Sequence, residues 1–209
     1  MTRARAVFAL HAGLGVVAAA VLVLALAAAI GGLSFTPPSA AALAEACVAF
    51  ALPDASLGSV GALALGSLAM AVLVLGLRSA GRQLLASRCV VRRLPIRAGG
   101  PPGAVLFEHS EPQAFCAGLL RPRIYLSTGA LSVLSTDELD AVLAHEAHHA
   151  RVRDPLRVFV VRVVSDALFF LPAARRLAER YAELAELAAD AAAVRRRGPQ
   201  PLASALLAF

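Results

Sequence analysis

Residues 141–150 read AVLAHEAHHA, and within them His145, Glu146 and His149 form an HExxH pattern. Residues four apart on a helix stand on one face, one turn from each other. Imidazoles at 145 and 149 therefore reach one zinc ion together, at the ~2.0–2.1 Å that nitrogen ligands adopt. Glu146 is one residue round the helix, displaced toward the coordination position that a catalytic site leaves open. From there it takes a proton from the attacking water and later passes one to the leaving amine. His148 lies about 60° round the helix from His145 and about 100° from His149, so it reads as a supporting or surface residue rather than a ligand. The competing reading is a solvated His/Glu face on an Arg- and Ala-rich helix.

The flanking residues supply a frame for the motif. Ser135 stands three residues before Glu138, the spacing of a capping box. Leu139, Val142 and Leu143 follow at a helical interval. This predicts a helix from about Thr136 to Arg153, stopped by Asp154-Pro155, because a residue before proline is pushed out of helical geometry. Upstream, the break Gly-Gly-Pro-Pro-Gly at 99–103 precedes two short strands, 104–108 and 123–127, the second closed by Thr128-Gly129. Downstream, a helix is expected over 156–171, with Arg162 and Asp166 spaced to pair. Its charges argue against a full membrane span, so it lies against the membrane or within the domain. Pro172 breaks it, and a further helix covers 173–196 before Gly198-Pro199-Gln200-Pro201. Residues 202–209 begin another element.

A catalytic zinc usually has three protein ligands. The nearest helix with suitable acids is 173–196, which holds Glu179, Glu183, Glu186 and Asp190. Glu183, Glu186 and Asp190 share a face with Leu187, Ala189 and Ala193, surroundings that suit a buried site. Glu179 beside Arg180 reads as exposed. Spacing leaves both Glu183 and Glu186 open as the ligand.

Hydrophobic residues make up 59% of the 209 residues and charged residues 16%. Soluble domains run near ~45–50% and ~25%, so the apolar excess points to a bilayer. Residues 6–33 carry no Asp, Glu or Arg, and neither do residues 57–77. Each run meets the ~20 residues a spanning helix needs, and the first is too long for the ~7–15-residue apolar region of a signal peptide. The glycines of the second run, Gly58, Gly61 and Gly66, are ordinary for a membrane helix. The intervening loop has no basic residue, whereas Arg78, Arg82, Arg88, Arg92, Arg93 and Arg97 follow the second run. That asymmetry predicts a multi-pass cell-membrane protein with both ends and the catalytic domain in the cytoplasm.

All 20 basic residues are Arg, and the net charge is +6. The arginines lie beside apolar segments with no aromatics interleaved, so no nucleic acid is expected as partner. Cys47, Cys89 and Cys116 are odd in number and widely spaced. They support neither a disulfide framework nor a CxxC metal site, and read as small buried or lipid-facing thiols.

The stretch 114–190 resembles the membrane-embedded gluzincins. Its nearest likeness is to the peptidase of beta-lactam sensor-transducers of the BlaR and MecR kind, with heat-shock membrane proteases and CAAX prenyl proteases sharing the core. The likeness is carried by AFCAG (114–118), RPRIYLSTGAL (121–131), DELDAVLAHEAHH (137–149), Asp154 five residues after His149, and ELAAD (186–190). The resemblance implies that Glu186 is the third zinc ligand and that Asp190 hydrogen-bonds a ligating His and fixes its tautomer. It implies too that substrate pairs with an edge strand, here including Phe115 to Gly118. No extracellular sensor domain is seen, so antibiotic sensing is not expected.

The expected protein is thus mainly α. Transmembrane helices at about 6–33 and 57–77 lie in a membrane region 1–87. A small α+β zincin-like metallopeptidase domain with the HExxH helix follows at 88–198, then a short segment at 199–209. The expected activity is zinc-dependent endopeptidase cleavage of protein or peptide substrates at the cytoplasmic membrane face, in regulated proteolysis or quality control. His145, His149 and Glu186 hold Zn2+, Glu146 is the catalytic base and Asp190 supports the ligands. Arg153 and His148 are candidates for oxyanion stabilisation. Two other classes compete with it: a non-enzymatic signalling component with a degenerate peptidase fold, and a basic module that uses Arg78 to Arg97 against anionic lipids.

Overall fold

The computed structural model describes residues 2–32 and 57–208. The loop expected between the two apolar runs, with Pro37, Pro38, Glu45, Pro53 and Asp54, lies outside them, as does Cys47. Two long helices come first, α1 (Thr2–Gly32) and α2 (Leu57–Arg93). Four strands follow: β1 (Ile96–Arg97), β2 (Ala104–Phe107), β3 (Ala114–Ala117) and β4 (Arg123–Ser127). Five helices complete the chain: α3 (Thr128–Val133), α4 (Thr136–Val152), α5 (Asp154–Ala167), α6 (Pro172–Arg197) and α7 (Pro199–Leu206). The architecture is mainly helical with one small mixed sheet, as the sequence indicated.

The sheet order is β1-β2-β4-β3. β2 runs parallel to β4, and β3 pairs antiparallel with β4 through Phe115 opposite Tyr125. β3 is therefore an edge strand. Phe107 and Leu126 are fully buried, and the register puts them on opposite faces of the sheet. At the end of β4 the chain turns tightly into α3. The Gly129 N–H donates to the His109 carbonyl at 2.8 Å, and a Cβ there would collide with the Ser110 carbonyl.

The α4 capping box is present: the Glu138 N–H donates to Ser135 Oγ, and the Ser135 N–H donates to Glu138 Oε2 at 2.8 Å. Ser204 of α7 also donates to Glu138. Replacing Ser135 with Ala is expected to lower unfolding stability by ~1 kcal/mol, read as a lower denaturation midpoint at unchanged zinc content. The end of α4 differs from expectation. The break falls on Arg153, in left-handed geometry with φ 56°, while Asp154 already begins α5 with Pro155 in its first turn. Proline is tolerated there because that N–H has no helical partner. A non-glycine residue in this region costs ~1–2 kcal/mol; here it turns the chain sharply so that Asp154 points back at α4.

α5 packs against both long helices. A Cβ at Gly15 would come within 2.9 Å of the Val164 side chain, so glycine admits α5 at that level. Gly61 and Gly66 have open space instead, in keeping with their plain reading. Asp166 does not turn to Arg162 as the spacing suggested. It accepts from Ser79 Oγ of α2 at 2.5 Å and lies 3.9 Å from Arg82. A contact from another helix has replaced the local i,i+4 pair.

The long apolar run of α1 does two jobs. Ala4, Val7 and Phe8 pack with Val161, Tyr181 and Ala185 of the domain, and buried His11 shares a 3.0 Å hydrogen bond with the Val161 carbonyl. Leu10 and later residues such as Val16, Val17, Val21, Val23 and Leu24 expose apolar side chains. α2 is continuous past both Leu77 and residue 87, and α7 packs Leu202 against Ala141 and Ala193.

Candidate metal centre

Helix α6 approaches α4 through a stripe of small residues. Ala185, Ala189 and Ala193 recur every four residues and are buried; Ala193 packs with fully buried Ala141 of α4, while Ala185 joins the cluster of Ala4 from α1 and Val161 from α5. Small side chains let the two backbones come close. Glu186 and Asp190 each sit one position beyond a stripe alanine, about 100° round the helix, so they stand at the rim of the contact. Their side chains remain 65% and 42% exposed. The expectation that these acids are buried is therefore corrected: alanine fills the interface and the acids border it.

At that rim the donor atoms converge. His145 Nε2 and His149 Nε2 are 3.1 Å apart. Glu186 places Oε2 at 3.5 Å from His145 Nε2 and Oε1 at 3.8 Å from His149 Nε2. Ligand atoms held ~2.0–2.2 Å from one tetrahedral zinc stand ~3.3–3.6 Å from one another. The observed separations bracket that range, and the two nitrogens and one carboxylate are a donor set that suits zinc. Glu183 is elsewhere. It is exposed and paired with Arg180 at 2.8 Å.

Each imidazole is held from behind by its own carboxylate. Asp190 Oδ1 is 3.0 Å from His145 Nδ1, and Asp154 Oδ2 is 2.7 Å from His149 Nδ1. A carboxylate on Nδ1 fixes the tautomer with the Nδ1 proton and leaves the Nε2 lone pair facing the cluster. Tyr181 donates to the other oxygen of Asp154 at 2.5 Å. Burial alone would raise the Asp154 pKa, but the hydrogen bonds from His149 and Tyr181 outweigh it and hold the carboxyl below its ordinary value. The role of Asp154 was not legible in the sequence beyond its matching position, because nothing local says that the chain turns back there.

Glu146 is 9% exposed and lies under β3. Burial pushes its carboxyl above the ordinary value, and the charge of Glu186 adds to the effect. His145, His149 and the hydrogen bond from the Cys116 backbone pull the other way without cancelling it. The same burial, with the charges of Glu146 and Asp154, pushes the Cys116 thiol up to about 12, so this cysteine stays a neutral thiol. Cys89 is free and exposed on α2. His148 takes no part in the cluster. It is buried, 3.2 Å from Arg151, and borders a small void with Ala4 and Arg157.

The sequence profile of peptidase family M48 matches residues 78–198. Relatives include a protease HtpX homolog of Thermoanaerobacter pseudethanolicus, 35% identical over 85 residues, which are 39% of this chain and 28% of that protein. Another, from Acidiphilium cryptum, is 37% identical over 81 residues, 37% of this chain and 28% of that protein. A third, from Trichormus variabilis, is 36% identical over 85 residues, 39% of this chain and 29% of that protein. The chain thus spans less than a third of the length of these curated relatives. Of the related types named above, it is the heat-shock membrane protease that these relatives represent. With the profile covering more than half of its length, this chain belongs to peptidase family M48.

Proposed function

We propose that this protein is a membrane-anchored zinc endopeptidase that cleaves protein substrates at the cytoplasmic membrane face. The observation that carries the proposal is the convergence of His145 Nε2, His149 Nε2 and the Glu186 carboxylate, with buried Glu146 next to His145 on the same helix. His145, His149 and Glu186 would hold the ion, and Asp190 and Asp154 orient the two imidazoles. Zinc bound there supplies Lewis acidity toward the scissile carbonyl and acidifies water to a pKa of ~7. Glu146 accepts a proton from the attacking water and delivers one to the departing amine. Its raised pKa brings it nearer the working pH, where a group serves best as base and then acid. The free edge of β3 receives an extended substrate through main-chain hydrogen bonds. A degenerate, non-enzymatic role needs a missing ligand or base, and no observation favours one.

The membrane reading rests on α1 and α2. If the first turns of α1 belong to the domain core, about 20 residues from Gly13 to Gly32 remain, ~30 Å of helix and one bilayer core. The run at 57–77 has the same length. The division into membrane region (1–87), peptidase domain (88–198) and C-terminal segment (199–209) is then one of role, since α1 and α7 both pack into the peptidase domain.

The test is chelation. The full chain, purified in detergent, is expected to cleave casein, to stop on treatment with 1,10-phenanthroline and to resume on adding zinc. Chelator-resistant cleavage, or none at all from zinc-loaded protein, rejects the proposal. A pH dependence follows as well. Burial lowers the His145 pKa, but the hydrogen bond to Glu186 and the charges of Glu146, Glu186 and Asp190 outweigh it, leaving it raised above 6.5. Zinc needs the neutral imidazole, so protons compete from a higher pH than for a free histidine. Apparent zinc affinity is expected to decline already above pH 6.5 and then by about tenfold or more per pH unit. Competition titration with a chromophoric chelator reads this out. An affinity flat down to pH 6 contradicts it.

A further inference from the structure

A cavity of about 580 Å³ opens between the end of α2's apolar run, the α5–α6 turn and the first turns of α6. Leu75, Leu168 and Phe169 form its apolar wall, and Arg82, Arg175 and Arg176 its cationic wall. Beside it Phe169 and Phe170 are 58% and 48% exposed, their rings edge-to-face at 5.4 Å. Two adjacent exposed aromatics form an apolar projection that calls for a partner. Neither the catalytic cluster nor the packing of the domain uses them.

Three contacts set the depth of this turn. Gly15 meets Val164, Gly76 meets Ala167, and Ser79 bonds Asp166. Gly76 still lies inside the uncharged run that ends at Leu77, and the turn follows Ala167 directly. The phenylalanines are thus exposed at the level where α2 passes from apolar to arginine-bearing, continuous with its apolar surface. Two acids also line the cavity. Asp166 is engaged by Ser79 and lies near Arg82, and Glu179 stands at the α6 side, so three arginines face two carboxylates. Arg175 and Arg176 have no acidic partner among the described residues. Guanidinium groups beside an apolar wall complement a phosphate ester attached to acyl chains.

We propose that this cavity binds the phosphate headgroup of an anionic phospholipid, with Phe169 and Phe170 sunk into the boundary between headgroups and acyl chains. This rests on the reading of α1 and α2 as membrane spans. The site ties the start of α6 to the lipid surface, and the same helix carries Glu186 and Asp190, so the lipid sets the depth and tilt of the catalytic cluster above the membrane.

The chain contains no Trp, so Phe169→Trp and Met70→Trp each introduce a single fluorophore, the second on the exposed apolar face of α2. The full chain is reconstituted in phosphatidylcholine vesicles with a minority of phosphatidylglycerol, and quenching by acyl-brominated lipid is measured. Both fluorophores are expected to be quenched. If Met70→Trp is not quenched, the membrane reading itself fails. If Met70→Trp is quenched and Phe169→Trp is not, only the inference drawn here fails. With the bromines on phosphatidylglycerol alone, Phe169→Trp is expected to be quenched more than by brominated phosphatidylcholine at equal fraction. That enrichment falls about fivefold for each of Arg175→Gln and Arg176→Gln, while Met70→Trp is unaffected. Equal quenching by the two lipids, or enrichment that survives the double substitution, overturns the headgroup site. Complete loss of enrichment on adding inorganic phosphate would make it a site for soluble anions and overturn the lipid assignment.

Discussion

Glu146→Gln is expected to reduce kcat by about 10²–10⁴-fold, the contribution of a positioned general acid–base group, while zinc content stays at the wild-type level. The substitution keeps shape and hydrogen-bonding capacity and removes only the ability to take up and release a proton. Glu146 is buried beneath β3, where its carboxyl accepts from the Cys116 backbone. An amide in its place still offers an oxygen to that N–H, so the fold is expected to be retained. Turnover of a quenched-fluorescent casein, paired with elemental analysis of the same preparation, separates loss of chemistry from loss of metal. Residual turnover above a tenth of wild type, in protein free of contaminating protease, would remove Glu146 from the role.

Zinc retention is expected to divide the two candidate glutamates sharply. Glu186→Ala removes one of the three proposed ligands, and its affinity loss should exceed the ~10–100-fold typical of disturbing an outer partner of a metal ligand. Its carboxylate oxygens stand 3.5 and 3.8 Å from the two Nε2 atoms, within reach of a shared ion. Glu183→Ala should keep stoichiometric zinc. Glu183 is engaged in an exposed pair with Arg180, worth ~0–1 kcal/mol at most. Elemental analysis of both purified variants decides the matter. Zinc bound as tightly in Glu186→Ala as in the wild type, or lost from Glu183→Ala, would reject the assignment.

These two glutamates also mark how far the sequence could be read. The i,i+4 pair His145/His149, the Ser135–Glu138 capping box and the strands at 104 and 123 were legible because each depends on residues within one or two turns. The choice between Glu183 and Glu186 was not legible from spacing. They are three residues apart on one helix, and only the crossing of α6 over α4 says which faces the histidines. Resemblance favoured Glu186, and the geometry supplies a physical reason: Ala193 of α6 packs on Ala141 of α4, and Glu186, two turns before it, stands with its oxygens 3.5 and 3.8 Å from the two imidazoles.

By itself, then, the sequence determined the helical, apolar class of the chain, the positions of β2, β4, α4 and α6, and the pair of imidazoles with their neighbouring carboxylate. All of these follow from local periodicity, capping and composition. Tertiary structure alone decided four further things. Asp154 supports His149 because Arg153 adopts a left-handed turn. Asp166 bonds Ser79 rather than Arg162 because α2 lies alongside α5. The first turns of α1 join the domain core although they read as part of a span, because Tyr181 and Ala185 offer them an apolar face. The acids of α6 stay half-open to solvent because alanines occupy the contact they border. Each depends on which surfaces meet across tens of residues of chain, and helical or strand periodicity, being local, carries no record of that.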